Sequence, residues 1–117
     1  MSDDETGEAA SALRMQFRAR LSVHAEAMRQ AWRRLGDAQD AGTRREAAEA
    51  LLSHAHRLAG GAGIAGLPAV SAAAAPVEDA VSAALAAGEP LTLPAVLAPL
   101  VARLLALCDG GCQLGPR

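Results

Sequence analysis

LRMQFRARLSVHAEAMRQAWRRLG, residues 13–36, is the stretch that decides the fold. Its large apolar residues fall at Leu13, Phe17, Leu21, Met28, Trp32 and Leu35, and His24 and Ala31 complete the same stripe. Steps of three and four residues lay one side of an α-helix against a core. The spacing predicts a helix from about Ala9 to Leu35, and Gly36 follows as a C-terminal cap. The segment is long enough to accommodate a short leading helix before the bundle helix.

Three further helical patterns follow. Thr43 and Glu46 have the spacing of a capping box, which predicts a second helix starting there. Its core face is Leu51, Ala55, Leu58 and Ala62. A third helix opens at Leu67-Pro68, with Pro in the first turn, where its missing N–H does no harm. It carries Val70, Ala74, Val77, Val81 and Leu85 and ends at Gly88, with Pro76 predicted to kink or restart it. A fourth opens at Thr92-Leu93-Pro94, buries Val96, Leu97, Leu100, Leu104 and Leu107, and is bent at Pro99. Asp109-Gly110-Gly111 stops it. The expected architecture is all-α, an antiparallel up-and-down four-helix bundle. Residues 1–117 read as one domain, with 1–8 and 110–117 as flexible tails, and a monomer is expected because no heptad seam is left outside the bundle.

Composition agrees and excludes other classes. A chain of 117 residues has room for one core. It is 51% hydrophobic but only 2% aromatic, with thirty Ala. An all-β domain would need more Val, Ile, Thr and Tyr, whereas Ala and Leu favour helices. Every basic side chain is Arg, and the net charge is −2. The basic surplus of a nucleic-acid-binding domain is absent. Cys108 and Cys112 make no disulfide framework and at most half of a zinc site, so no metal site is expected. Cys108 reads as core and Cys112 as tail. The acidic start Ser2-Asp3-Asp4-Glu5 is opposite to a signal peptide. Leu58 to Val77 carries no charge, but its glycines and prolines break it as a membrane span. A cytoplasmic protein with no membrane insertion is expected.

The chemistry-bearing run is Ser53-His54-Ala55-His56-Arg57-Leu58-Ala59-Gly60-Gly61-Ala62-Gly63-Ile64-Ala65-Gly66. Each glycine in a helix costs about 1 kcal/mol relative to Ala, so a cluster calls for a reason. Gly66 is accounted for as the cap. Positions 56, 60 and 63 stack on one flank, about 100° from the core stripe through Ala55. His56 is thus an imidazole beside a cleared patch. A neutral imidazole has an unprotonated ring nitrogen that is nucleophilic towards phosphorus. Clearance suits approach by another protein, whereas small-molecule turnover would want a concave pocket.

Ala55-His56-Arg57-Leu58-Ala59-Gly60, with Gly66 six residues on, resembles the A-H-x-L-K-G-x-x-x-x-x-G pattern of the histidine-containing phosphotransfer (HPt) domains of bacterial phosphorelays. Leu67, Val70, Ala74 and Val77-Glu78-Asp79 are similar to the family's next helix. The resemblance implies a four-helix bundle in which His56 accepts a phosphoryl group from one receiver-domain aspartate and passes it to another. The chain would then be a phosphohistidine carrier and not a turnover enzyme. The implied partners are response-regulator receiver domains and a hybrid sensor kinase. No cofactor of its own is implied, since Mg²⁺ belongs to the receiver. The family's usual Lys, three residues after the His, is Ala59 here. Arg57 lies about 100° round the helix from His56, and Ser53, one turn before it, is placed to hydrogen-bond ring or phosphate.

Competing readings are weaker. His54 lies about 200° from His56, outside the glycine flank, and the two cannot grip one metal, which in a helix needs i, i+4 spacing. His24, on the apolar stripe, reads as a packed, hydrogen-bonded core histidine. A sensor-kinase dimerisation domain would be expected to have an acidic residue after the His, where Arg57 stands, and an ATP-binding domain behind it. The remaining alternative is a helical adaptor that binds receiver or signalling domains without carrying phosphate, and the missing Lys is its only support. Arg44, Arg45 and Glu49 are expected at the rim of a docking face.

Overall fold

The sequence folds into four helices: α1 (Ser2–Asp37), α2 (Ala41–Gly61), α3 (Pro68–Ala86) and α4 (Leu97–Gln113). This computed structural model describes residues 2–113, with side chains within 9–110, and no strand occurs among the described residues. α1 and α3 each pack on both α2 and α4. The helices therefore follow one another round the bundle in chain order, the up-and-down arrangement that the periodicity predicts.

The core explains the alanine content. Leu21, Met28 and Leu35 of α1, Leu51 and Leu58 of α2, Val77 and Val81 of α3 and Leu97, Val101 and Leu104 of α4 are fully buried. Between them lie Ala25, Ala47, Ala48, Ala55 and Ala74, also fully buried. Small side chains at these contacts bring the helix axes close. α3 is long and apolar enough to cross a bilayer by length and composition alone, but its Val70, Ala74, Val77 and Val81 are spent on this core.

Helix ends differ from the sequence reading in several places, each for a local reason. α2 begins two residues before Thr43, because Asp40, with φ −102° and ψ 152°, is the N-cap. Its carboxylate accepts the Thr43 N–H at 2.8 Å, and that bond holds the Asp40 carboxyl below its ordinary value. The backbone at Thr43 is already helical, so Thr43 cannot cap. α1 is one helix from Ser2 with no separate leading helix, and Gly36 lies inside it. It extends past the other helices, which leaves Leu13 66% exposed and not in the core. α3 runs through Pro76 as a single element. α4 starts at Leu97, with Leu97 N–H bonded to the Pro94 carbonyl. Val96 is accordingly exposed, and Pro99 falls in the first turn, where no N–H is needed. α4 continues through Gly110 and Gly111 to Gln113, so Cys112 lies in the helix. Residues 114–117 of the expected tail lie outside the described residues.

Two glycines work as predicted. Gly66 (φ 84°) and Gly88 (φ 86°) occupy the left-handed region, where a side chain is strained. At Gly66 the chain reverses within a few residues: Leu67 N–H bonds the Ala62 carbonyl at 2.7 Å, and Gly66 N–H bonds that of Gly63 at 3.1 Å. This tight turn fixes how far α3 slides along α2.

Candidate functional site

The α2–α3 register set by that turn brings two polar stripes together. On α2, Glu49, Ser53, His56 and Gly60 recur at steps of four and three. On α3, Ser71, Glu78 and Ser82 recur at steps of seven and four. Ser71 Oγ donates to the Ala59 carbonyl at 2.6 Å and ties the start of α3 to the last turn of α2. Two turns further along α3, Glu78 lies level with His56.

His56 is the exposed member of the pair, with 72% of its side chain accessible against 27% for Glu78. Its Nδ1 is 2.5 Å from Glu78 Oε2. A carboxylate can only accept, so Nδ1 carries the proton of that bond. In the neutral ring the lone pair is then on Nε2, the nitrogen not engaged by Glu78. Around them is a shallow depression of about 320 Å³, lined by Glu49, Leu52, Ser53, His56, Glu78 and Ser82. An ionised partner fixes the tautomer of an otherwise accessible imidazole.

The sequence-predicted neighbours divide into two groups. Ser53 lines the depression with His56. Gly60 is exposed, and a Cβ built there would meet nothing within 4 Å, so the flank one turn from His56 is open. Gly63 is also exposed, but it sits in the turn after α2, and a Cβ there would touch Ser71 Oγ at 3.7 Å. Its smallness serves the α2–α3 contact as much as clearance. Ala59 is half-buried and offers its carbonyl to Ser71. Arg57 is exposed and its charge is felt at His24 and His54, on the α1 side of α2. It does not line the depression, and among the described residues no cationic side chain lines it in place of the Lys that Ala59 replaces.

The other two histidines form a separate pair. His24 Nδ1 and His54 Nδ1 are 2.9 Å apart across α1 and α2, both half-buried, so His24 is hydrogen-bonded as expected but stands at the edge of the core and not in it. Arg44 is also turned inward. Its guanidinium donates to the Leu35 carbonyl at 3.0 Å and the Leu91 carbonyl at 3.3 Å, clamping the end of α1 to the α3–α4 connection. Arg45 pairs with Glu49 at 3.3 Å and Glu89 at 3.7 Å. Among the described residues no three His, Cys, Asp or Glu side chains converge on one point.

Sequence reasoning missed Glu78, Ser71 and Ser82. The available signal was their common stripe on α3, one position round from the core residues Val70, Val77 and Val81. Over residues 12–109 the chain matches the family model of the Hpt domain. No curated protein and no solved structure matches it.

Proposed function

The chain belongs to the Hpt domain family, whose members carry out histidine phosphotransfer in phosphorelays and interact with receiver domains, and from that premise we propose that His56 is its phosphoacceptor. A receiver-domain aspartyl phosphate, charged by a hybrid sensor kinase, is the donor. A second receiver aspartate is the acceptor, and the setting is the bacterial cytoplasm. What carries the reading is one contact: an exposed imidazole whose Nδ1–H is held by Glu78 beside an empty flank at Gly60.

The transfer follows from that geometry. The Nε2 lone pair attacks phosphorus, an N–P bond forms, and the P–O bond to the aspartyl carboxyl breaks, its electron pair leaving with the carboxylate. Nδ1 keeps its proton throughout, so the ring becomes cationic as the N–P bond forms. Glu78, already in contact, stabilises that positive charge without reorganising. Donation to the second receiver is the same step reversed. Mg²⁺ on the receiver supplies the charge balance for the phosphoryl oxygens, a role for which Ala59 offers nothing. Ser53 and Ser82 line the same depression as His56 and are the neutral hydroxyl donors there for the phosphoramidate oxygens.

The test is transfer from a labelled phosphoreceiver to the wild-type chain and to two variants. His56→Gln is expected to gain no acid-labile phosphate, and His54→Gln to be labelled normally. Label on His56→Gln would sink the assignment. A wild-type chain that binds receivers but takes no label would establish the adaptor instead.

A further inference from the structure

Two carboxylates, Glu49 and Glu78, line the His56 depression, and among the described residues no cationic side chain does. Glu78 is engaged by the His56 ring. Glu49 lies seven residues before His56 on the same stripe of α2, about 10 Å along the helix axis at about 1.5 Å per residue. That distance is inside the footprint of a protein docked on His56, since even weak, transient contacts bury up to about 1,200 Å². One turn further up the stripe, Arg45 Nε is 3.3 Å from Glu49, and its Nη1 is 3.7 Å from Glu89, just after α3. Both contacts are longer than the about 2.7–2.9 Å of a tight charge-assisted bond. All three side chains are about half exposed.

Exposed ion pairs made this loosely add little to stability. Their consequence is for whatever covers them. From Glu89 through Arg45 and Glu49 to Glu78 the surface carries three carboxylates against one guanidinium. A protein seated on His56 removes water from Glu49. If it brings an acidic group there, two like charges meet out of water; if it brings a Lys or Arg, a charge-assisted bond forms. Arg45 satisfies Glu49 only in part, because Glu89 shares it, and it is free to turn to Glu89 when another cation arrives. Arg44 cannot take its place, since its guanidinium is committed to the Leu35 and Leu91 carbonyls. Resting on the reading of His56 as phosphoacceptor, we propose that Glu49 is the specificity-determining residue of the docking face. It admits receivers that present a basic side chain to the upstream end of the depression and turns away those that present an acidic one. Arg45 is the internal competitor for that contact.

Single-turnover transfer from the phosphoreceiver that labels the wild type tests this. Potassium phosphoramidate serves beside it as a donor that needs no docking, because Nε2 displaces ammonia from its phosphorus. Glu49→Lys is expected to raise the half-saturating phosphoreceiver concentration about tenfold at an unchanged maximal rate. It should also lose the weakening by salt that the wild type shows. Arg45→Ala, which frees Glu49, is expected to lower the half-saturating concentration about twofold. Replacing the receiver's surface Lys and Arg residues by Glu, one at a time, should give one variant that is poor with the wild type and recovered with Glu49→Lys. Equal half-saturation for Glu49→Lys and wild type overturns the inference, as does a receiver series in which Glu49→Lys recovers nothing. A raised half-saturating concentration in Arg45→Ala would make the arginine the group that is read, and overturns it too. So does slower labelling of His56 in Glu49→Lys by phosphoramidate, since Glu49 would then act on the ring. The acceptor assignment fails by a different result, receiver-derived label on His56→Gln.

Discussion

His24 and His54 meet Nδ1 to Nδ1 at 2.9 Å across the α1–α2 interface, a contact that holds only while at least one ring is neutral at that nitrogen. One ring donates its Nδ1–H and the other accepts with its own proton on Nε2. Burial is the main reason that both titrate below the usual 6.5. The neighbouring His54, Arg57 and Arg20 push His24 lower still, and Arg57 does the same to His54.

These directions fix a pH dependence. The folded state binds these protons less readily than the unfolded chain, so the pair's stabilisation is fully present above about pH 6.5. It declines as pH falls below that value and through the lowered folded-state pKa values, where both states are protonated. Urea midpoints measured from about pH 8 down to pH 5 should fall for the wild type. They should fall less steeply for His24→Leu/His54→Leu. Equal slopes would mean that the pair is energetically silent.

Glu78 gives a second expectation. Glu78→Ala removes the partner that orients His56 and offsets the cationic ring, while leaving an exposed site with no buried group orphaned. Loss of one partly solvated, charge-assisted hydrogen bond is worth on the order of tenfold in transfer rate. Thermal stability should stay within about 0.5 kcal/mol of wild type, as for most surface changes. Gln at 78, which can still accept from Nδ1–H through its side-chain carbonyl, should recover part of the rate. An unchanged rate in Glu78→Ala would confine Glu78 to a packing role.

Arg44 yields a purely structural prediction. Its guanidinium satisfies the Leu35 carbonyl, one of the last in α1, and the Leu91 carbonyl beyond α3. Arg44→Ala leaves both without that donor and should cost about 1–2 kcal/mol by chemical denaturation. Arg45→Ala, which removes only surface ion pairs to Glu49 and Glu89, should cost less than about 0.5 kcal/mol. The opposite ranking would contradict the clamp.

What could be read from the sequence was what lies within one helix. The glycine flank of His56 and the core stripes of all four helices follow from local spacing, and so does the Pro68 start of α3. Glu78 did not emerge because its meeting with His56 depends on the α2–α3 register, which the 62–67 turn sets. Leu13 was misplaced for a related reason: periodicity shows which face is apolar but not where the neighbouring helix ends. Asp40 and Thr43 both belong to residue types that cap helices, and only the extended backbone at Asp40 decides between them.

Gly60 and Gly61 are adjacent and predict opposite outcomes. Both are helical, so Ala at either position removes the same backbone entropy cost, about 0.5–1 kcal/mol in favour of the fold. At Gly60 the new Cβ meets nothing within 4 Å, and the gain is kept. At Gly61 it would stand 2.6 Å from Phe17 Cε2 and 3.3 Å from Cζ, so the ring must move, at an overpacking cost of about 1–3 kcal/mol. Gly60→Ala should therefore raise stability and Gly61→Ala lower it, by urea unfolding of the two variants side by side. A bulky side chain separates stability from function at the first position. Gly60→Trp should remain folded yet lose at least about tenfold in phosphotransfer, the cost of mispositioning an incoming receiver. Normal transfer by a folded Gly60→Trp chain would show that partners reach His56 from another side.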